Sequence, residues 1–287
     1  MTKHIALIAL PFVLSILCPQ IFAQQKYQLE IATDKSSYEF TTHSSSNISF
    51  EVAGQNNNID QSVLIKQGLQ IFPGNKTGEF DLKYTMNRMD MTVKVQNIPY
   101  TSISTNDPTN SENKALKAII DKPIFQKIDH YGSPIGSADL SKVVKALDDV
   151  IPGMSEYFLN SLRSNFQCPI NLRYPTKPIG IGESWETRGN SYASGNGVQV
   201  QTDGKIINTL KNVDNKYYYI EQVNHLTMSQ NGIQFAGAIT TLIKVDRNSG
   251  ILKESTGKGI LSGEGMVQGK PYRAKTRIYY QTSVEKK

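Results

Sequence analysis

The chain has 287 residues, of which 38% are hydrophobic, and it carries a formal net charge of +6. This length suffices for a large domain with its own core, and two cysteines exclude a scaffold held together by disulfides. Residues 24–169 contain 14 basic and 16 acidic residues, whereas residues 170–287 contain 16 basic and 9 acidic ones. Because the basic residues are dispersed, we expect no nucleic-acid binding, and we keep anionic lipid or envelope polymer as possible partners.

Residues 1–23 have the pattern of a secretory signal peptide. Lys3 precedes an apolar run, Ile5–Leu17, and the segment ends on a small residue, which predicts cleavage after Ala23. The run is shorter than the roughly 20 residues that span a bilayer, so we expect no transmembrane segment after signal removal. Cys18 raises a lipid anchor as an alternative, which the bulky Leu17 before it disfavours. We predict an exported protein of the periplasm or the extracellular side of a bacterial envelope.

The next segment, residues 24–103, is predicted to form the N-terminal strands. Stretches such as "NISFEVAG" and "EFDLKYTMNRMDMTVKVQNI" combine β-branched and aromatic residues with polar ones. In the second stretch Phe80, Leu82 and Tyr84 alternate with charged residues, which is typical of a strand with one buried face.

Residues 111–166 are predicted to be a helical insert. Ser111 has the position of an N-cap, and a second helix is predicted to begin near Ser137, after a short hairpin-like stretch. The second helix carries apolar residues at the spacing of one helical face, namely Leu140, Val143, Val144 and Leu147. A third predicted helix, "MSEYFLNSLRSNF", presents the apolar residues Tyr157, Phe158 and Leu162.

The segment from Tyr174 to Gly189, "YPTKPIGIGESWETRG", contains the single tryptophan, Trp185. Its prolines favour an extended approach, and Gly182 favours a turn. Two interpretations follow. Trp185 either begins a strand and covers the edge of a sheet, or it stacks on a ligand.

Residues 170–285 are predicted to form a C-terminal antiparallel meander. Runs rich in Ile, Val, Tyr and Thr are separated by the turn signals "TDGK", "VDNK", "SQNG", "DRNSG" and "VQGK". In "KYYYIEQVNHLTM" neither alternating face is wholly apolar, which indicates a strand that is covered unevenly along its length. Strands, helices and strands in this order predict one α+β domain over residues 24–287: a large, curved, half-barrel-like antiparallel sheet with two or three helices packed on its concave face.

No catalytic or cofactor motif is present. The sequence lacks a nucleophile elbow, a phosphate-binding loop, a zinc-protease helix and a Cys-x-x-Cys pair. His43, His130 and His225 are far apart and have no metal-ligand spacing, and Cys168 has no base close to it in the sequence. We therefore predict no catalytic residue, no metal site and no cofactor, and we lean toward a protein that is not an enzyme.

Four stretches resemble a family of exported bacterial proteins known only as a domain of unknown function. They are "RMDMTVKVQNIPYTSISTNDP", "ALKAIIDKPIFQKIDHYGSPIG", "YPTKPIGIGESWE" and "VDRNSGILKES". The resemblance implies a β-rich envelope protein and brings no catalytic residue with it. The order of strands, helices and strands is also similar to the half-barrels of periplasmic lipoprotein carriers, in which a curved sheet encloses a lipid-sized cavity.

The leading hypothesis is a protein that binds a hydrophobic or amphipathic ligand, or an envelope protein, in the concavity of the sheet. The alternatives are that the same side chains are only the core of the domain, that the protein is a hydrolase of envelope polymers with a site assembled from distant residues, or that it is a scaffold. The candidate ligand-binding residues are Leu140, Val144, Leu147, Tyr157, Phe158, Leu162 and Trp185.

Overall fold

The structure is a computed structural model, and it describes residues 25–32, 35–52, 54–105, 111–150, 152–153, 168–170, 172–195, 198–230, 233–267 and 269–287. The predicted signal peptide and the predicted third helix lie outside these residues. Within them the elements follow one another in this order: β1 (Lys26–Tyr27), β2 (Ser37–Val52), β3 (Gln55–Pro73), β4 (Glu79–Val95), β5 (Ile98–Ser104), α1 (Ser111–Ile119), β6 (Ile124–Asp129), β7 (Pro134–Asp139), α2 (Ser141–Val150), β8 (Ile179–Gly180), β9 (Ser184–Gly195), β10 (Val198–Val213), β11 (Tyr217–Gln230), β12 (Ile233–Asp246), β13 (Leu252–Val267) and β14 (Lys270–Lys286).

Twelve of the described strands form one antiparallel sheet. Its order is β7-β6-β4-β3-β2-β14-β13-β12-β11-β10-β9, with β5 paired to β4. Most neighbours are consecutive in the chain, as expected for a series of hairpins. There are two exceptions. β4 pairs with β6, and β2 pairs with β14, which joins the first long strand to the last along fifteen residue pairs, from Tyr272↔Val52 to Lys286↔Tyr38. The first long strand and the last strand therefore lie side by side in this sheet, whereas β1 and β8 form a separate two-stranded sheet.

The α+β prediction was wrong in its balance, because the described chain is predominantly β. Two helices are present in the described residues, and they are short, with 9 residues in α1 and 10 in α2. The reason is that the middle of the chain also contributes strands: β6 pairs with β4, and β7 pairs with β6. Helix α2 consequently begins at Ser141 and not near Ser137, since the residues before it belong to β7.

One predicted turn was also wrong. The "TDGK" stretch lies inside β10, where Gly204 is paired with Gly189 of β9. A Cβ atom on Gly204 would stand 2.8 Å from the carbonyl oxygen of His225 on the next strand. This glycine therefore permits a close approach of two strands and does not reverse the chain. The other four turn signals separate consecutive strands, as predicted.

The two faces of the sheet differ sharply in burial. On β12 Thr241, Ile243 and Val245 are buried, whereas Leu242 between them is 61% exposed. We call the side with the buried residues the core face and the opposite side the outer face. The core face carries the main hydrophobic cluster, and the predicted strand face of β4 is confirmed as part of it. The largest fully buried side chains are Tyr84, Phe40, Leu29, Leu69, Ile71, Leu82, Ile124, Ile128, Leu210, Ile220, Ile251 and Val143.

Both helices pack at the β4–β6 end of the sheet. Ala115 and Ile119 of α1 and Val143 and Leu147 of α2 are buried in the same cluster as the strand residues. The helical periodicity predicted for α2 is thereby confirmed. The helices cover the end of the core face near β6 and contact each other.

Candidate functional site

A row of polar residues crosses the core face from β10 to β2. Each member is paired directly with the residue on the next strand, so the row runs straight across the strands at one level of the sheet. We call these residues the polar row, in order across the sheet: Asn208, Gln222, Thr241, Gly257, Tyr280 and Ser44.

Apolar side chains lie on both sides of the polar row. On one side Ile220 and Ile243 belong to the buried core. On the other side, two residues further along their strands, Ile206, Ile239 and Ile278 are partly buried on the same face. The row is therefore a polar band between two apolar surfaces.

Hydrogen bonds connect much of this band. The amide of Gln222 donates to Asn208 Oδ1 at 2.9 Å, and the Asn208 amide donates to Thr187 Oγ1 at 3.3 Å. The hydroxyl groups of Thr241 and Tyr280 lie 2.5 Å apart. Because these groups are partly or fully buried, such bonds compensate for their removal from water.

Gly257 makes the contact between Thr241 and Tyr280 possible. Thr241 is on β12 and Tyr280 on β14, with β13 between them, so their side chains meet above the backbone of Gly257. A Cβ atom on Gly257 would overlap the ring of Tyr280. Burial raises the pKa of Tyr280, and its hydrogen bond with Thr241 opposes part of that rise. The phenol is consequently neutral at physiological pH and serves as a hydrogen-bonding group.

A cavity of about 440 Å³ lies on the outer face, one of about 560 Å³ lies near Trp185, and one of about 240 Å³ adjoins the polar row. The third is the candidate site, because it combines the row with the buried core. Its polar lining comes from six successive strands of the sheet, β11 to β3, and is Gln222, Thr241, Ser255, Tyr280, Thr282, Thr42 and Gln67. Its apolar lining is Phe40, Ile65, Ile243, Leu252, Pro169, Ile170 and Leu172, with Cys168, Tyr174 and Gly250 completing the wall.

The segment around Tyr174 forms one wall of the cavity and is fixed to three other parts of the chain. The Tyr174 backbone N–H donates to the carbonyl of Tyr131 at 2.8 Å, and its hydroxyl donates to the carbonyl of Gly250 at 2.7 Å. The indole N–H of Trp185 donates to the carbonyl of Arg173 at 2.8 Å. Burial raises the pKa of Tyr174 far above its ordinary value. The wall is thus held by a buried hydrogen bond from the Tyr174 hydroxyl, by the backbone hydrogen bond to Tyr131 and by an exposed one from Trp185.

Cys168 faces this cavity as a free thiol. Burial raises its pKa to about 12, although a backbone hydrogen bond with Ile170 opposes the rise. A thiol with a raised pKa carries very little thiolate near neutral pH and is a poor nucleophile. Cys168 therefore contributes to the lining of the cavity as a small, weakly polar group.

Cys168 should react slowly with iodoacetamide in the folded protein. In a Cys18→Ser chain, where Cys168 is the sole thiol, we expect alkylation at about pH 8 to be at least about 100-fold slower than in the urea-unfolded chain, because each pKa unit removes about tenfold of the thiolate. Mass spectrometry of the alkylated fraction over time measures both rates. Rates within about threefold of each other would contradict the raised pKa.

The contacts around Trp185 are those expected of an anchor, and a role of Trp185 in ligand binding stays a prediction. β8 pairs with β1, and Gly182 adopts the positive φ of 87° that a tight turn needs. The Glu183 carboxylate accepts the backbone N–H of Gly180 at 2.8 Å and pairs with Lys26 at 3.2 Å. These contacts lower the pKa of Glu183, the backbone hydrogen bond being the larger cause. Trp185 then enters β9 and packs against the main core, and it also lines the neighbouring cavity of about 560 Å³.

The residues predicted to bind a ligand have different positions. Leu140 and Leu147 are buried in the core, with 6% and 4% of their surfaces exposed, and Val144 packs against it. None of these three lines the cavity beside the polar row. Their role in binding stays a prediction, and so does that of the three residues of the third predicted helix, Tyr157, Phe158 and Leu162, which lie outside the described part of the chain.

The polar row was not identified from the sequence. A signal existed in β11, where Gln222 and Asn224 interrupt an apolar alternation that begins with Tyr218 and Ile220 and resumes at Leu226. A single strand cannot reveal that Thr241 and Tyr280 stand at the same level, because this depends on the register of three strands.

The three histidines of the described chain lie apart. His43 and His225 are exposed on the outer face. His130 lies between the carbonyl of Gly78, 3.4 Å from its Nδ1, and the ring of Tyr131, 3.8 Å between centroids. These contacts do not resemble the hydrogen-bonded nucleophile, base and carboxylate of a hydrolase.

Two further properties concern the described residues alone. They contain no group of three His, Cys, Asp or Glu side chains that is arranged to hold a metal ion. Neither α1 nor α2 has the length and apolar character of a membrane-spanning helix.

Comparison with solved structures gives similarities at low sequence identity. Lipovitellin, from a structure titled for its lipid–protein interactions, is 11% identical with a TM-score of 0.48, covering 88% of this chain and 26% of its own. The translocator domain of the autotransporter NalP from Neisseria meningitidis is 8% identical with a TM-score of 0.20, and the match covers 88% of this chain and 89% of that domain. A botulinum neurotoxin type C structure is 10% identical with a TM-score of 0.14, and the match covers 86% of this chain and 77% of the toxin chain. All three scores are below 0.5, so we infer no function from these proteins.

Comparison at the level of sequence gives a family. No curated protein matches the chain significantly. Residues 75–252 match a family of unknown function, DUF6263. The matched region includes β4 and extends to the start of β13, so it contains both helices and three of the six residues of the polar row. Because the match covers more than half of the 287 residues, the chain belongs to the DUF6263 family.

Proposed function

We propose that this protein is an exported envelope protein, without catalytic activity, that binds a single-chain amphipathic molecule in the cavity beside the polar row. The observation that carries the proposal is the polar band between two apolar surfaces on the core face. An amphipathic molecule has the complementary arrangement, since its polar group can hydrogen-bond to the band while its chain covers apolar side chains.

The volume of the cavity selects the size of the ligand. The cavity of about 240 Å³ accommodates a polar group with part of one hydrocarbon chain more readily than the two chains of a diacyl lipid. We therefore favour a fatty acid or a lysolipid over a diacyl phospholipid.

The exported location rests on the N-terminal sequence pattern. Lys3, the apolar run and the small residue Ala23 together support removal of a signal peptide during export. N-terminal sequencing of the protein recovered from its natural source tests this part separately. A mature chain that begins at Gln24 supports export, and an intact N-terminus in the cytoplasmic fraction contradicts it.

The hydrolase alternative receives no support from the histidine contacts. The scaffold alternative differs from ligand binding in one measurable respect, because a scaffold needs no molecule in the cavity. Native mass spectrometry of protein purified from its own envelope, followed by solvent extraction, distinguishes these cases. We expect a bound amphiphile of one acyl chain, and a ligand-free protein that takes up no fatty acid or lysolipid would contradict the proposal.

A pair of adjacent substitutions makes the test specific to the cavity. Ser255 is buried and lines the cavity, whereas Thr256 points to the outer face and is exposed. We expect Ser255→Leu to fill the cavity and to reduce bound amphiphile by about tenfold or more, while Thr256→Leu retains the wild-type amount. Equal retention by both variants, with unchanged thermal unfolding, would place any bound lipid elsewhere.

A further inference from the structure

A polar groove of about 440 Å³ lies on the outer face, across β4, β3, β2 and β14. Two rows of directly paired residues line it. The first row is Lys94, Asp60, Asn47 and Arg277. The second row is Thr92, Ser62, Ser45 and Tyr279. We call this surface the outer groove, and because it is on the opposite face from the cavity, what it binds is independent of the ligand proposed above.

The outer groove has unpaired positive charge. Asp60 accepts a hydrogen bond from the Asn47 amide at 2.8 Å, and Arg277 lies 3.5 Å from the Asn47 amide oxygen. Within the described residues neither Arg277 nor Lys94 has an ion-pair partner within 4.0 Å. Lys258 stands opposite Tyr279 on β13 and extends the positive surface. Three cations and one carboxylate favour an anionic ligand.

The other groups of the groove favour a sugar. Tyr279 is 46% exposed, so part of its ring is available to stack on a flat apolar face of a sugar ring. Short hydroxyl and amide side chains, those of Ser45, Ser62 and Asn47, surround it and can exchange hydrogen bonds with sugar hydroxyls. Asp60 would repel a phosphodiester backbone but accepts hydrogen bonds from hydroxyl groups.

We infer that the outer groove binds a segment of an acidic polysaccharide. Tyr279 stacks on a sugar ring, Asp60 and the short polar side chains bond its hydroxyls, and Arg277 and Lys94 pair with its carboxylate or sulfate groups. A guanidinium is suited to such groups because it can donate two parallel hydrogen bonds. Exposed charges make this binding weaker at high salt.

The test uses isothermal titration calorimetry of the full mature chain with four probes: a short oligogalacturonate, a heparin oligosaccharide, the neutral maltotetraose and an oligothymidylate. We expect binding to at least one of the acidic saccharides that weakens with salt, and no binding to the neutral sugar or the nucleic acid. Failure of both acidic saccharides to bind, or preferential binding of the oligothymidylate, would overturn the inference.

Two matched pairs of variants locate the binding. Tyr279→Ala should weaken saccharide binding by about tenfold, whereas Tyr100→Ala, at an exposed tyrosine outside the groove, should not change it. Arg277→Gln should have a similar effect, whereas Arg273→Gln, on the same face of β14 but paired with Glu264, should not. Equal affinities within either pair would exclude the groove as the binding site. If Tyr279→Ala lowers the unfolding midpoint, Lys94→Gln replaces it.

Discussion

Gly250→Ala should lower the free energy of unfolding by about 3 kcal/mol or more, which is large for the loss of a hydrogen atom and the gain of a methyl group. Gly250 ends the turn between β12 and β13 with a φ of 66°, a conformation that costs most other residues energy. Its Cβ atom would also overlap the carbonyl oxygen of Glu30 and lie 2.9 Å from the Cα atom of Ile31. Both neighbours are backbone atoms, so no side-chain rotation can relieve the contact.

The effect should be large because three separate segments meet at this glycine. Ile31 donates a backbone hydrogen bond to His130 at 2.7 Å, Ala32 donates one to Ser249 at 3.0 Å, and the Tyr174 hydroxyl bonds the Gly250 carbonyl. A displacement of the turn would disturb all of these bonds, including the one that fixes the wall of the cavity. We therefore expect the variant to lose both stability and the ordered wall.

Gly269→Ala is the matched comparison for this prediction. Gly269 has a φ of 74° in the turn between β13 and β14, but a Cβ atom there would meet nothing within 4 Å. The free energy of unfolding of this variant should fall by only about 1 kcal/mol, because only the backbone conformation is unfavourable for alanine. Urea denaturation followed by circular dichroism measures both variants. Equal losses would mean that the close approach to Glu30 contributes little to stability.

Raising the pH from about 9 to about 11 should destabilise the fold by about 3 kcal/mol through Tyr84 and Tyr174 alone. Burial is the main reason that the pKa of each hydroxyl lies far above its ordinary value of 10.0. Because the folded-state pKa is raised, the stabilisation is complete below about pH 9 and is lost as the unfolded chain ionises near pH 10. At pH 11 the titration of each of these two tyrosines has lowered the free energy of unfolding by about 1.4 kcal/mol. The raised pKa values of Cys168 and Tyr280 lower it further.

A Tyr174→Phe variant tests this explanation. It should be less stable than the wild type near pH 8, because the carbonyl of Gly250 loses its hydrogen-bond donor, by about 1–3 kcal/mol. Between about pH 9 and 11, however, it should lose about 1.4 kcal/mol less than the wild type, since one titrating group is absent. Urea midpoints measured across this range give both quantities. Parallel curves for the two proteins would show that Tyr174 does not titrate with unfolding.

The strands were predictable because their alternation is local. Phe80, Leu82 and Tyr84 show the period of two that burial of one face requires, and all three are buried. The junction of β2 with β14 was not predictable, since it depends on a pairing between residues more than 200 positions apart. The helical layer was overestimated for a related reason: β6 and β7 are short and become strands because β6 pairs with β4 and β7 pairs with β6.

The candidate site was predictable only in part. Gln222 breaks the apolar pattern of β11, and this interruption marks the position of the polar row. Its partner hydroxyls, from Thr241 and Tyr280, occur in strands whose sequences alone give no reason to place them together. Gly257 decides that contact, and a single glycine in a strand has several possible meanings until its neighbours are known.

The central claim, that an amphipathic molecule occupies the cavity beside the polar row, is tested most directly by isoleucine methyl NMR. The cavity is lined by Ile65, Ile170 and Ile243, whereas Ile98 is exposed elsewhere and Ile124 is buried away from it. During titration with a lysophospholipid below its micelle concentration, we expect saturable shifts of the three lining methyl groups and unchanged signals from the other two. Shifts that are absent, or that are equal for Ile98 and the lining residues, would contradict the account.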